Sequence, residues 1–258
     1  MRSTQNRNRR PHFPSGRFVV SGLIFLISVL SGHVALTQQP DLSVPEEILK
    51  EMETVKVMYT DTSWFSFRVV PPKKSSGEYD RVALCFSGGD QSEAVVNYCY
   101  AAWFRSPMLD TYWKILPVSI GGQNLRDLDS AAFCAMTRSI VGQFNCLESG
   151  WLALGTSNGG IAAFKCLAAE PQRFEGLITV PGSLSKEIAP DKNWSHLKIL
   201  LAVGQEDQEV WHSAADKTIE KTESHVRAVQ KMILKKTGHV LPIGYKVDRI
   251  YKVWFNLE

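Results

Sequence analysis

The sequence predicts an α/β fold built on a mostly parallel central sheet of about eight strands, with helices on both faces and no sizeable cap. Three observations predict it. From residue 81 onward short, nearly continuous apolar runs alternate with helical stretches, the pattern of parallel strands buried on both sides. Several runs end in glycine, as at Gly88-Gly89, Gly121-Gly122 and Gly155. The 258 residues, 44% of them hydrophobic, carry a formal charge of +3, values that exclude a collagen, a coiled-coil rod and a mostly disordered chain.

The elements follow in order. Residues 38–53 read as a linker and a short helix, and residues 54–258 as the domain. VKVMYT and WFSFRVV form an early antiparallel strand pair that stops at Pro71-Pro72. RVALCFS (81–87) is an apolar strand followed by helical SEAVVNYCYAAWF. YWKILPVSI (112–120) is the next strand, with a helix from about Asp127 to Gly142. WLALG (151–155) runs into the helical SNGGIAAFKCLAAE, and FEGLITVPGS (174–183) leads to a brief polar connection. LKILLAVG (197–204) precedes a long helix expected from Trp211 to Gln230, then a short strand MILKK, a Gly-His turn and the amphipathic IGYKVDRIYKVWF.

The first 40 residues hold five arginines, Arg2, Arg7, Arg9, Arg10 and Arg17, with no lysine and no acid. Subtracting these from 29 basic and 26 acidic groups leaves residues 41–258 with 24 and 26, a charge of −2. A basic nucleic-acid-binding body is thereby excluded. Phe18 to Leu30 is an apolar run between the arginines and a small, polar stretch, the order of a secretory signal. Residues 1–37 are expected to be a signal peptide or, if uncleaved, a signal anchor holding the membrane through residues 18–36. Both place the domain outside the cytoplasm, whether secreted, periplasmic or membrane-anchored. Of the five cysteines, Cys85 and Cys166 read as buried hydrophobes, while Cys99, Cys134 and Cys146 leave room for one disulfide after export, Cys134 and Cys146 being nearest in sequence.

Gly155-Thr156-Ser157-Asn158-Gly159 carries the chemistry. It is a G-x-S-x-G placed where an apolar strand turns straight into a helix, which holds the central hydroxyl at the carboxyl end of the sheet. Serine is a weak nucleophile without a base oriented by an acid. The strand 197–204 ends in a loop bearing Asp207, with Glu206 adjacent, and the last strand ends in Thr237-Gly238-His239. Of six histidines only His239 occupies a loop past the final strand. Ser157, Asp207 and His239 are therefore the expected catalytic residues, in that chain order. The N–H of Asn158 and one from Gly88 or Gly89, in the loop after RVALCF, are the expected oxyanion donors. A plain strand-to-helix turn would require the same glycines.

These segments resemble the α/β-hydrolases, closest to the small carboxylesterase, phospholipase and polyester-depolymerase-like members. FSGGDQSEAV resembles their oxyanion loop, GTSNGG their nucleophile elbow, GQEDQEV their acid loop, TGHVLP their histidine loop and KVDRIYKVWF their closing helix. The resemblance covers residues 82–255, and it departs where Phe86-Ser87 replaces the usual His-Gly start of the oxyanion loop. It implies a serine hydrolase acting on a small-molecule or polymeric ester, with no metal or organic cofactor. A peptidase of the same fold and a catalytically silent binding module are the alternatives. Residues 183–196 are too few for a cap domain, so the site should be open, with Trp103, Trp194 and Trp211 expected in the core or else lining it.

Overall fold

The computed structural model describes residues 41–258 except 61, 62, 76 and 78, and of 59, 60 and 63 the backbone only. The expectations for residues 1–37 lie outside the described residues. Among the described residues, no helix is long and apolar enough to cross a membrane.

Eight strands form one open sheet: β1 (Glu53–Thr60), β2 (Ser63–Val70), β3 (Arg81–Phe86), β4 (Tyr112–Pro117), β5 (Trp151–Gly155), β6 (Phe174–Thr179), β7 (Lys198–Gly204) and β8 (Ala228–Leu234). Their spatial order is β1-β2-β4-β3-β5-β6-β7-β8. β1 and β2 pair antiparallel, as does β2 with β4, and β4, β3 and β5 to β8 run parallel. The carboxyl ends of β3, β5, β7 and β8 all lie along one edge, so the loops that leave them meet there.

Side-chain alternation divides the apolar residues between two faces. Leu84, Phe86, Ile199, Leu201 and Val203 pack with Phe133, Met136 and Ile140 of helix α3 (Ser130–Gln143) and with Ala163 and Leu167 of helix α4 (Asn158–Ala169). Ala83, Cys85, Leu200 and Ala202 face the other way, against Val96 of α2 (Glu93–Cys99) and Ile250, Tyr251 and Trp254 of α6 (Asp248–Phe255). Each fully buried aliphatic or aromatic side chain in these layers contributes about 1.5–3 kcal/mol. The central strands are fully apolar because both of their faces are covered.

Four boundaries differ from expectation. The helix at 46 spans only Glu46–Leu49 (α1), after which β1 begins at Glu53. The helix after β3 widens into a π-helical turn at Tyr100–Phe104, and the helix after β4 starts at Ser130, capped by Asp129, whose side chain accepts the Ala132 N–H. The expected helix from Trp211 to Gln230 is instead α5 (Glu209–Thr222) followed by β8. β8 is an edge strand paired only with β7. Its Gln230 is exposed and Lys231 half-buried while Met232 and Leu234 are buried, and this half-polar pattern mimics an amphipathic helix. All five cysteines are free thiols, so the Cys134–Cys146 pairing is not formed. Cys85, Cys99, Cys146 and Cys166 are buried.

α1 is tied down by the residue just beyond it. The Glu51 carboxylate accepts hydrogen bonds from Tyr100 Oη at 2.7 Å and Arg105 Nε at 2.9 Å. Burial alone opposes its ionisation, but the bonds from Arg105 and Tyr100 prevail and hold the carboxyl below the usual range. A depressed folded-state pKa stabilises above the unfolded value and is lost as pH falls through the folded one. Glu51→Gln is therefore expected to lower the urea midpoint modestly at neutral pH and to leave it nearly unchanged in acid, where wild type and variant should converge.

Candidate active site

Ser157 follows β5 by two residues and adopts φ 52° and ψ −121°, a left-handed backbone that a side chain rarely occupies. Its neighbours keep it there. The Ser157 N–H donates to Pro181 O at 2.7 Å, and its carbonyl accepts from Gly160 N at 2.9 Å. The close crossing of β5, α4 and the β3 loop explains the small residues: a Cβ on Gly159 would come within 2.2 Å of the carbonyl oxygens of both Phe86 and Ser87. No residue but glycine fits that position.

His239 brings its Nε2 to 3.0 Å from Ser157 Oγ. Its Nδ1 lies 3.1 and 3.2 Å from the two carboxylate oxygens of Asp207. A carboxylate only accepts, so Nδ1 carries the proton and Nε2 is left to accept the serine O–H. The Asp207 carboxylate is fully buried while His239 is about one-third exposed, so the acid is shielded and the base is reachable. Asp207 also accepts the Gln208 N–H at 2.7 Å. Glu206 is exposed, and no hydrogen bond joins its carboxylate to His239. The structure thus places Ser157, His239 and Asp207 in one hydrogen-bonded chain.

The acid and histidine loops are zipped together before their side chains meet. Gln205 N donates to Leu234 O and Glu206 N to Thr237 O, both at 2.8 Å. Gly204 packs so closely on the next loop that an added Cβ would lie 2.2 Å from Gly238 O. Trp211 completes the base's surroundings, its ring 5.0 Å from that of His239, whereas Trp103 and Trp194 are buried in the core.

The loop after β3 presents the third part of the site. Gln91, buried and at φ 58°, organises it. Its backbone N–H donates to Gly88 O at 3.2 Å, and its side-chain amide donates to Ser87 O at 3.0 Å. The same amide accepts Leu125 N at 2.6 Å. In a trans peptide the N–H points opposite to the C=O, so these bonds also aim the N–H groups of Gly88 and Gly89. Behind the loop the Cys99 thiol is buried, which raises its pKa. Gly88 is buried and Gly89 is exposed at the site. Gly89 O accepts from both Asn124 Nδ2 at 2.9 Å and Asn158 Nδ2 at 3.0 Å, and Asn158 Oδ1 accepts from Arg126 Nη1 at 2.6 Å. This clamp fastens the β3 loop to the start of α4.

Sequence reasoning misses Gln91, Asn124 and Arg126. The signal available is the run Gly88-Gly89-Asp90-Gln91, in which a glutamine just past two glycines is suited to fold back on their peptides; Asn124 and Arg126 come from a separate segment and carry no local signal. Gln91→Ala is expected to leave the Ser87 carbonyl and the Leu125 N–H buried without partners, at about 1–3 kcal/mol each. It should lower the melting temperature by several degrees and reduce turnover more than substrate affinity, as steady-state kinetics alongside a thermal melt would show.

No family model matches the chain, and no curated protein sequence does. Solved structures do. The chain is similar to a thermostable esterase at TM-score 0.63 and 13% identity, over 82% of this chain and 64% of that one, so it spans less than two thirds of that esterase. It is similar to carboxylesterase CesB of Bacillus subtilis at TM-score 0.55 and 15% identity, covering 82% of this chain and 95% of that one. Dienelactone hydrolase from Anabaena variabilis gives TM-score 0.53 and 16% identity over 80% and 95%. With the sheet order and the strand-to-helix turn at Ser157, these likenesses show that the chain has the α/β-hydrolase fold.

Proposed function

We propose that this protein is a serine hydrolase that cleaves carboxylic esters through an acyl-enzyme on Ser157. The observation that carries the reading is the unbroken chain of hydrogen bonds from Ser157 through His239 to Asp207, at 3.0 and 3.1 Å, built on a serine held at positive φ.

The chemistry follows from the geometry. Ser157 Oγ attacks the ester carbonyl carbon as its proton passes to His239 Nε2. The negative charge that develops on the carbonyl oxygen is met by the N–H of Asn158, at the start of α4 where the helix dipole also favours an anion, and by a backbone N–H of the Gly88-Gly89 loop. Collapse breaks the ester C–O bond, and the leaving alkoxide takes the proton from His239. Water then repeats the sequence, losing a proton to His239 and releasing the acid with Ser157 restored. Asp207, dehydrated and fixed, favours the imidazolium that forms in each half-reaction.

The connection between β6 and β7 holds one short 3-10 turn, Lys192–Trp194, and no cap, which suits a bulky small-molecule or polymeric ester. Export by residues 1–37 belongs to the same reading, supported by the arginine cluster and the apolar run Phe18 to Leu30.

A panel of nitrophenyl esters of increasing acyl length tests the function, with a fluorophosphonate probe to label the nucleophile. Turnover of at least one ester and labelling that disappears in Ser157→Ala are expected. Folded protein that neither turns over esters nor takes the label would overturn the reading.

A further inference from the structure

On the sheet face that carries α1, the π-helical turn and α6 lies a cleft of about 1090 Å³. Ser157, Asp207, His239, Asn158, Gly88 and Gly89 are all absent from its lining. Its floor is apolar and buried, formed by Ile48, Ala102, Trp103 and Val247. Its rim is cationic. Lys235, Lys246, Arg249 and Lys252 are all exposed, and among the described residues none of them lies within ion-pair distance of a carboxylate. A fifth base, Arg105, is already paired with Glu51 at 2.5 Å. The acid at the cleft, Asp248, accepts the Ser106 hydroxyl at 2.7 Å.

Four unpaired cations against one carboxylate give the cleft +3, on a body of 24 basic and 26 acidic groups whose sum is −2. The remainder of the body therefore carries −5, and the positive charge is segregated to one apolar-floored surface. We propose that this surface docks the protein on an anionic phospholipid bilayer, lipid phosphates meeting the rim and the upper acyl chain meeting the floor. The arginine-rich first 40 residues share the rim's sign, so charge complementarity does not favour them as its occupant. They favour the bilayer in another way. Ile48, in the cleft floor, is 12 residues beyond Leu36, and an extended chain of that length reaches at most about 40 Å. An apolar leader embedded in a membrane would keep the cleft within reach of the same leaflet.

The test is co-sedimentation of the full chain with vesicles of phosphatidylcholine alone or mixed with phosphatidylglycerol, comparing wild type with Lys235→Gln/Lys246→Gln/Arg249→Gln/Lys252→Gln. Each base near an anionic surface is worth roughly fivefold in partitioning, so the variant should lose at least about tenfold on mixed vesicles and nothing on neutral ones. High salt should close the gap. Should the quadruple variant melt early, the pairs Lys235→Gln/Lys246→Gln and Arg249→Gln/Lys252→Gln are each expected to lose about fivefold or more. Equal partitioning of variant and wild type, or an equal loss on both vesicles, would overturn the proposal. So would release of wild type from mixed vesicles by inorganic phosphate at matched ionic strength, which would assign the rim to a discrete anion.

Discussion

Ser157→Ala should cost on the order of a millionfold in turnover while leaving the melting temperature nearly unchanged. The size of the effect follows from the site's construction. His239 can accept a proton only from a group at its Nε2, and Ser157 Oγ occupies that place at 3.0 Å. Without the hydroxyl, the base has nothing to activate but water. On the proposed mechanism the N–H groups of Asn158 and of the Gly88-Gly89 loop remain and should sustain a slow background hydrolysis. The fold should survive because Ser157 holds its position through backbone bonds to Pro181 and Gly160, which alanine keeps. Alanine at φ 52° is strained no more than serine is. Ester turnover in the variant, measured beside a thermal melt, decides the matter, and undiminished activity would remove Ser157 as nucleophile.

Asp207→Asn should cost about 10⁴-fold in turnover, and Glu206→Gln little. Asparagine presents an N–H₂ or a carbonyl to His239 Nδ1, but the neutral amide no longer favours the protonated ring, and its donor can impose the wrong tautomer. The carboxylate is fully buried, so water cannot substitute for it. Glu206 differs in placement and not in chemistry: its backbone N–H zips to Thr237 while its side chain is exposed. A pair of pH–rate profiles would separate the two. If Glu206→Gln proved the damaging change, the assigned acid would be one residue off.

Much of the fold is legible in the sequence because its strands are covered on both faces, which writes them as unbroken apolar runs such as ILLAVG after Lys198 and WLALG before Thr156. Edge strand β8 is harder, since one covered face gives half the signal and Gln230 and Lys231 read like a helix surface. The grouping of Ser157, Asp207 and His239 is legible for a related reason. In a parallel sheet the loops after successive strands share an edge, so chain order stands in for spatial order. What cannot be read is the clamp among Gly89, Asn124, Asn158 and Arg126, whose partners are brought together by tertiary packing and not by spacing. The choice between Gly88 and Gly89 depends likewise on where Gln91 aims two peptides, a matter of bond direction that no spacing encodes.

Residues 86–91, 155–158, 204–207 and 234–239 meet around Ser157, and the last of these segments follows β8, the last of the eight strands in chain order. Synthesis proceeds from the amino end, so a ribosome-bound chain holds its serine long before it holds its base. Until β8 docks on β7, the hydroxyl has no proton acceptor and the acid loop has no partner to zip against. On the proposed function, a chain that has not yet placed residues 234–239 would be inert, its reactivity waiting on the loop that carries His239.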